Sequence, residues 1–201
     1  MKEKIISGIQ QIGIGVSNVH EAWGWYKKYF GVDIRVFEEA AAAELMLPYT
    51  GGEPRQRHAA LTINMQGGGG FEIWQYTDRV PQSPDFQIRM GDLGIFAAKI
   101  KCIDIQKTYD YYKAEGVEIL TEIHKDPQGK DTFYIRDPFG NIFQMKPSST
   151  WFKMEKKLTG AVYGAVIGVS DIDKSLHFYK EILGYDEILA DKTDIFEELK
   201  G

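Results

Sequence analysis

The sequence contains one cysteine, Cys102, so no disulfide can form within the chain, and a reducing, cytoplasmic location is expected. It also lacks a basic excess, because 24 Lys and Arg stand against 29 Asp and Glu, for a net charge of −5. Proteins that neutralise nucleic-acid phosphates need the opposite balance, so no nucleic-acid partner is expected. No apolar run approaches the roughly 20 residues that span a bilayer, and no apolar signal core follows the charged start, so neither membrane insertion nor secretion is expected.

What remains is the composition of a globular protein. The chain has 201 residues, of which 43% are hydrophobic and 26% are charged. This length corresponds to one domain, or to one domain with a fragment of another.

The first part of the chain predicts one strand, one helix and three further strands. Asn18 is a usual helix N-cap and Gly31 is a usual residue at the end of a helix, so a helix is predicted over residues 19–30. Four consecutive glycines at residues 67–70 lack the Gly-Lys-Ser/Thr of a phosphate loop, which favours a hairpin turn. The predicted strands cover residues 12–16, 33–39, 58–65 and 71–76, with residues 40–56 irregular.

The same order of elements then returns. Asp104 predicts the start of a helix over residues 105–115, and the sequence Asp-Pro-Phe-Gly-Asn at residues 137–141 predicts a tight turn. The fold class is therefore predicted to be α+β, with two strand-helix-strand-strand-strand (βαβββ) modules in a domain of residues 1–147. The extended segments of the second module cover residues 95–103, 117–123, 132–136 and 142–146.

A third, partial copy of the module begins near Tyr163. Residues 11–33 shifted by 153 positions give eight identities, among them Ser17 with Ser170 and Gly31 with Gly184. This predicts a linker over residues 148–159 and a partial third module, strand-helix-strand, over residues 160–201. An incomplete sheet has an unpaired edge, so a cover is expected from the first domain, from a second copy in a homodimer, or from residues beyond Gly201.

Three segments carry the strongest signatures: Gln-Ile-Gly-Ile-Gly-Val-Ser-Asn at 11–18, Trp-Tyr-Lys-Lys-Tyr-Phe-Gly at 25–31, and Phe-Tyr-Ile-Arg-Asp-Pro-Phe-Gly-Asn-Ile-Phe-Gln at 133–144. Together they resemble the vicinal oxygen chelate superfamily, which includes glyoxalase I, methylmalonyl-CoA epimerase, extradiol dioxygenases and bleomycin-resistance proteins. The resemblance implies paired modules that form a curved, half-open barrel. It also implies metal ligands inside that barrel, on the first and fourth strands of each module.

The four ligand positions implied by the resemblance fall on Gln11, Glu72, Ala97 and Gln144. Ferrous extradiol dioxygenases need two imidazoles and a carboxylate, and no histidine occupies these positions, so that activity is not expected. If a divalent metal such as Mg, Mn, Ni or Zn is held, Glu72 is its only charged ligand, with Gln11 and Gln144 as neutral ligands. The alternative is that these polar side chains line a cavity, or bond to each other, without a metal.

Further residues are candidates for contact with a small-molecule ligand. Strand alternation puts Glu72, Trp74 and Tyr76 on one face, which predicts a carboxylate beside two aromatic rings in the same cavity. The other candidates are Tyr134, in the second module, and a basic strand end that carries Arg57 and His58. The alternative for the aromatic residues is ordinary core packing. The alternative for the basic strand end is a position on the solvated surface.

Two functions fit the resemblance. In the first, the chain is a glyoxalase-like lyase or isomerase, and Glu72 removes a proton next to a carbonyl of a small oxygenated metabolite. In the second, it is a metal-free protein that sequesters a small aromatic or amphipathic compound, as bleomycin-resistance relatives do. The sequence does not decide between these two functions, and it does not identify the ligand.

Overall fold

The computed structural model describes Ile6 and residues 8–193. It is an α+β fold with two curved sheets, and each sheet carries one βαβββ module, as predicted. Among the described residues, no helix combines the length and the apolar character needed to cross a membrane.

The first sheet has four strands in the order β1-β4-β3-β2, with β1 parallel to β4 and the other neighbours antiparallel. The prediction that residues 40–56 are irregular is wrong in part. Ala40 to Ala43 extend the second strand because they pair with His58 to Arg55 of the third. The elements are β1 (Gln11–Gly15), α1 (Val19–Phe30), β2 (Ile34–Ala43), a 3-10 helix (Glu44–Tyr49), β3 (Arg55–Asn64) and β4 (Gly69–Tyr76).

The second sheet has the order β10-β5-β9-β8-β6, and β7 pairs with β8 beside it. It repeats the first arrangement, because β5 is parallel to β9 and β8 is antiparallel to β9. The elements are β5 (Gly94–Cys102), α2 (Ile105–Ala114), β6 (Glu118–Ile119), β7 (His124–Lys125), β8 (Asp131–Arg136), β9 (Ile142–Pro147), β10 (Thr159–Gly168) and α3 (Ile172–Leu183).

The helix ends follow the predicted capping residues. The Asn18 side chain accepts a hydrogen bond from the amide of Glu21 at 3.1 Å, and the Asp104 side chain accepts one from the amide of Lys107 at 3.0 Å. Gly31 ends α1 in the left-handed region, with φ of 62°, where a side chain would be strained. These contacts satisfy amides and carbonyls that a helix leaves unpaired at its ends.

Strand β10, from the partial third copy, joins the second sheet. It pairs antiparallel with β5, from Thr159 opposite Cys102 to Gly168 opposite Gly94. The edge of β5 is therefore covered by the same chain. Residues 184–193 form no strand, and the remainder of the predicted second strand of this copy lies outside the described residues. The predicted domain boundaries and homodimer stay predictions.

One core joins the two modules, and α1 lies between the sheets. The ring of Tyr26 on α1 contacts Phe71 of β4 and Phe143 of β9, and these two phenylalanine rings are 5.9 Å apart. The hydroxyl of Tyr112 on α2 donates to the carbonyl of Tyr29 on α1 at 2.7 Å. Each sheet thus turns one face toward this core. We call the opposite face of each sheet the helix-free face.

Candidate functional site

The helix-free face of the first sheet carries a carboxylate held by an amide. Gln11 Nε2 on β1 donates to Glu72 Oε2 on β4 at 3.1 Å. Gly13 lies directly opposite Glu72 in the parallel pair, and a side chain at Gly13 or at Gly15 would meet nothing within 4 Å. The carboxylate therefore faces open space along β1, and it is only partly buried.

Aromatic rings and guanidinium groups continue this face beyond Glu72. Trp74 and Tyr76 make an edge-to-face contact with ring centroids 6.0 Å apart. The Arg57 guanidinium lies 5.0 Å from the Trp74 ring, and that of Arg79 lies 4.8 Å from the Tyr76 ring. The Nε of Arg57 is buried and has no hydrogen-bond partner within the described part of the chain. A row of cation–π pairs of this kind suits a planar ligand with negative charge or carbonyl oxygens.

A cavity of about 1020 Å³ opens at the carboxyl ends of β1 and β4. Trp74, Tyr76 and Arg79 line it from the first sheet, and Arg136 and the turn at 138–142 line it from the second module. Part of the segment 81–88 closes a further side. The volume is at the upper end of the range of about 300–1,000 Å³ that is usual for small-molecule sites.

His58 does not belong to this face. Arg57 pairs with Tyr76 and Ala59 pairs with Trp74, so the alternation of β3 turns the intervening His58 to the opposite side. There its Nε2 lies 3.0 Å from Oε1 of Glu38, on β2. The predicted pair of Arg57 and His58 is therefore divided between the two faces of the sheet, because neighbouring residues of a strand point to opposite sides.

Gln144 and Tyr134 lie on the helix-free face of the other sheet. They pair across β8 and β9, and Gln144 also pairs with Lys99 of β5. Gln144 is 5% exposed, and its Oε1 has no hydrogen-bond partner among the described residues. The Tyr134 ring stacks on that of His124 with centroids 6.1 Å apart. Gln144 makes no side-chain hydrogen bond to Glu72 or Gln11 in the described part of the chain.

The three implied metal ligands do not contact one another as a set in the described residues. Of the three predicted ligands, only Gln11 and Glu72 meet, and Gln11 directs its amide nitrogen, which cannot bind a cation, toward the carboxylate. Divalent cations in proteins take several oxygen or nitrogen ligands, and one carboxylate does not supply them. The residues around Glu72 therefore do not fit a resident divalent metal.

The second sheet carries a buried ion pair that the sequence pattern did not predict. Lys146 Nζ contacts Asp126 Oδ2 and donates to Gln128 Oε1 at 3.1 Å. Burial lowers the pKa of nearby Lys99, and the positive charge of Lys146 lowers it further. Lys99 and Lys101 alternate with apolar residues of β5, which was the available signal that this face is polar and basic.

Comparison with known proteins identifies the fold. The family described as the Glyoxalase/Bleomycin resistance protein/Dioxygenase superfamily matches residues 8–145. No match was found among curated proteins.

Solved structures with a similar fold come from bacteria and from a plant. A glyoxalase family protein from Bacillus cereus is 14% identical, with a TM-score of 0.57, over 73% of this chain and 97% of that chain. One from Enterococcus faecalis is 18% identical, with a TM-score of 0.50, over 73% and 99%. A glyoxalase I mutant from Zea mays is 14% identical, with a TM-score of 0.52, over 88% of this chain and 55% of that chain. At these identities the similarity is one of fold.

Proposed function

Because this chain belongs to the glyoxalase/bleomycin resistance protein/dioxygenase superfamily, we propose that its first module catalyses a glyoxalase-like lyase or isomerase step on a small oxygenated metabolite. Glu72 is the proposed general base. The observation that carries the proposal is the hydrogen bond from Gln11 to one oxygen of Glu72, on an open face next to Trp74.

The geometry leaves Glu72 one oxygen with which to take a proton. Gln11 occupies Oε2, and within the described residues Oε1 accepts no hydrogen bond. A carboxylate fixed at one oxygen and open at the other suits removal of a proton from carbon next to a carbonyl. Gln11 is thus a positioning residue, and Glu72 is the residue that would touch the reacting carbon.

The negative charge that forms on the substrate oxygen needs a donor on the same face. The Arg57 guanidinium lies there; Glu39 holds its two terminal nitrogens, and its Nε has no hydrogen-bond partner among the described residues. Preorganised donors at a developing oxyanion lower the barrier to proton removal. The rings of Trp74 and Tyr76 favour a substrate with a planar conjugated part, because such a group stacks on aromatic side chains.

Replacing Glu72 by glutamine tests the base. We expect turnover to fall by about 10²–10⁴-fold, because the amide keeps the shape of the carboxyl group but cannot take a proton. The measurement is exchange of the carbon-bound proton for deuterium, followed by NMR, across 2-oxo acids, 2-hydroxyketones and thiol adducts of 2-oxoaldehydes. Glu44→Gln, in the 3-10 helix, is the matched control and should behave as the wild type. Undiminished exchange in Glu72→Gln would remove Glu72 from the chemistry.

A second function, binding without turnover, is favoured by the stacked guanidinium groups over Trp74 and Tyr76 at the edge of a large cavity. If it holds, planar aromatic carboxylates quench tryptophan fluorescence with the same dissociation constant in the wild type and in Glu72→Gln. We expect Arg79→Gln to weaken that binding by about two- to fivefold, since Arg79 is exposed and an exposed cation–π pair is worth about 0.5–1 kcal/mol. Proton exchange of any compound in the wild type, lost in Glu72→Gln, would instead establish the enzyme.

A further inference from the structure

We propose that His20, Glu38 and His58 form a zinc-binding site on the core-facing side of the first sheet, separate from Glu72. Three elements bring these side chains together: the first turn of α1, the middle of β2 and the start of β3. His58 Nε2 lies 3.0 Å from Glu38 Oε1, and His20 Nε2 lies 3.4 Å from the same oxygen. All three ligand atoms lie within 4.8 Å of one another.

The spacing is that of ligands around one small cation. Zinc binds imidazole nitrogen and carboxylate oxygen at about 2.0–2.2 Å, which places tetrahedral ligands ~3.3 Å from each other. Two imidazoles and one carboxylate are also a ligand set that zinc uses in proteins, with a fourth position open to water. The two distances to Glu38 Oε1 already bracket this spacing, so only small side-chain rotations are needed.

The strands hold two of the ligands in place before any metal binds. Glu38 pairs with Ala60 and His58 pairs with Ala40, so both side chains point to the same face with small alanines as neighbours. Their side chains are 16% and 22% exposed, which fixes them while leaving access from solvent. His20 is 67% exposed, so it can adjust to complete the site.

Glu38 has a second contact that orients it. Arg35 donates to Glu38 Oε2 at 2.7 Å, which leaves Oε1 directed toward the two imidazoles. The positive charge of Arg35 also opposes a cation nearby, which makes Arg35 a residue that limits affinity.

The chain has four histidines, and two of them converge at this one place. The other two, His124 on β7 and His177 on α3, lie on separate elements, and Cys102 is buried. His20 also contacts His58 directly, with ring centroids 5.1 Å apart. This convergence is what distinguishes the site from histidines scattered on a surface, and it does not depend on the function proposed for Glu72.

The experiment uses the full chain, freed of metal with a chelator that is then removed, and titrated with zinc chloride in a calorimeter at neutral pH. We expect one equivalent of zinc to bind. His58→Ala and Glu38→Gln should each weaken binding by more than about tenfold, as loss of even an indirect ligand contact often does. His124→Ala is the matched control and should bind zinc as the wild type does.

Two further results decide between a metal site and a hydrogen-bonded cluster. Arg35→Gln should tighten zinc binding, because it removes an opposing charge. Zinc should raise the midpoint of thermal unfolding of the wild type but not that of His20→Ala, an exposed substitution that leaves the fold intact. If the wild type takes up no zinc, the proposal is overturned. It is also overturned if His20→Ala and His58→Ala take up as much zinc as the wild type, and only an ion-paired cluster remains.

Discussion

Replacing Lys146 by methionine is expected to cost about 3–5 kcal/mol of the free energy of unfolding, because it leaves the Asp126 carboxylate buried without its cation. The two side chains are only 8% and 2% exposed. Methionine keeps most of the volume of lysine, so the loss measures the missing charge rather than a cavity. Urea unfolding monitored by circular dichroism gives the free energy directly.

A surface pair in the same sheet region provides the control. Lys125 pairs with Asp131 at 2.8 Å, with side chains 64% and 42% exposed. Lys125→Met should therefore cost no more than about 1 kcal/mol. The double variant Lys146→Met/Asp126→Leu should recover much of the lost stability, because it removes the stranded charge as well. Equal effects of the two lysine substitutions would contradict the assignment of a buried pair.

The same pair predicts how stability depends on pH. Burial alone would raise the pKa of Asp126, but the hydrogen bonds from Lys146 and from the amides of Lys130 and Gln128 outweigh it and hold that pKa below its ordinary value. A carboxyl group with a lowered pKa stabilises the fold above its unfolded pKa of about 3.9. That contribution is lost as the pH falls through the folded pKa. Acid unfolding of Lys146→Met should lack the part of this component that Lys146 supplies.

Alanine in place of Gly70 is expected to cost about 3 kcal/mol or more and to disturb the pairing of β3 with β4. An added Cβ would lie far inside van der Waals contact with the carbonyl oxygen of Thr62, and 2.8 Å from the Cα of Ile63. Both are backbone atoms of the neighbouring strand, so no side-chain rotation relieves the overlap. Urea unfolding and the far-ultraviolet spectrum of the variant report the effect.

Gly13→Ala is the matched control for Gly70→Ala. Gly13 lies in the same sheet, on β1, and a Cβ there would meet nothing within 4 Å. We expect a change within about 0.5 kcal/mol, as at other sites with free space. If both alanine variants unfolded at the same urea concentration, close strand contact would not be the reason for glycine at position 70.

Local features of the fold could be predicted because they depend on neighbours in the sequence. Asn18 and Asp104 cap helices through amides three residues away. The side chain of Asp137 accepts hydrogen bonds from the amides of Phe139 and Asn141, which fixes the predicted turn. Such contacts require no knowledge of how the modules pack.

The candidate site could be predicted only within one module. Gln11 and Glu72 meet because β1 and β4 of the same module are neighbours. Gln144 does not join them, since its position depends on which faces of the sheets meet in the core, and that is decided by contacts such as Phe30 with Phe143. Alternation along a strand shows which residues share a face, but not what that face contacts.

The cluster of His20, Glu38 and His58 was missed for a related reason. The sequence predicts residues 40–56 to be irregular, and that prediction contains no register that sets Glu38 beside His58. Extension of β2 through the alanines creates that register, with Ala40 opposite His58. The signal in the sequence was that polar residues occupy alternate positions on two adjacent strands, and alternate positions share a face.

The contacts of Thr159 have a consequence for synthesis on the ribosome. Its hydroxyl donates to the carbonyl of Tyr29, which is 130 residues earlier in the chain, and its own carbonyl accepts from Asn64. At about 5–20 residues per second, that interval takes on the order of 10 s to translate. Throughout it, the nascent first module lacks these two contacts with Thr159. Its completion must therefore wait for the start of the third repeat to leave the exit tunnel.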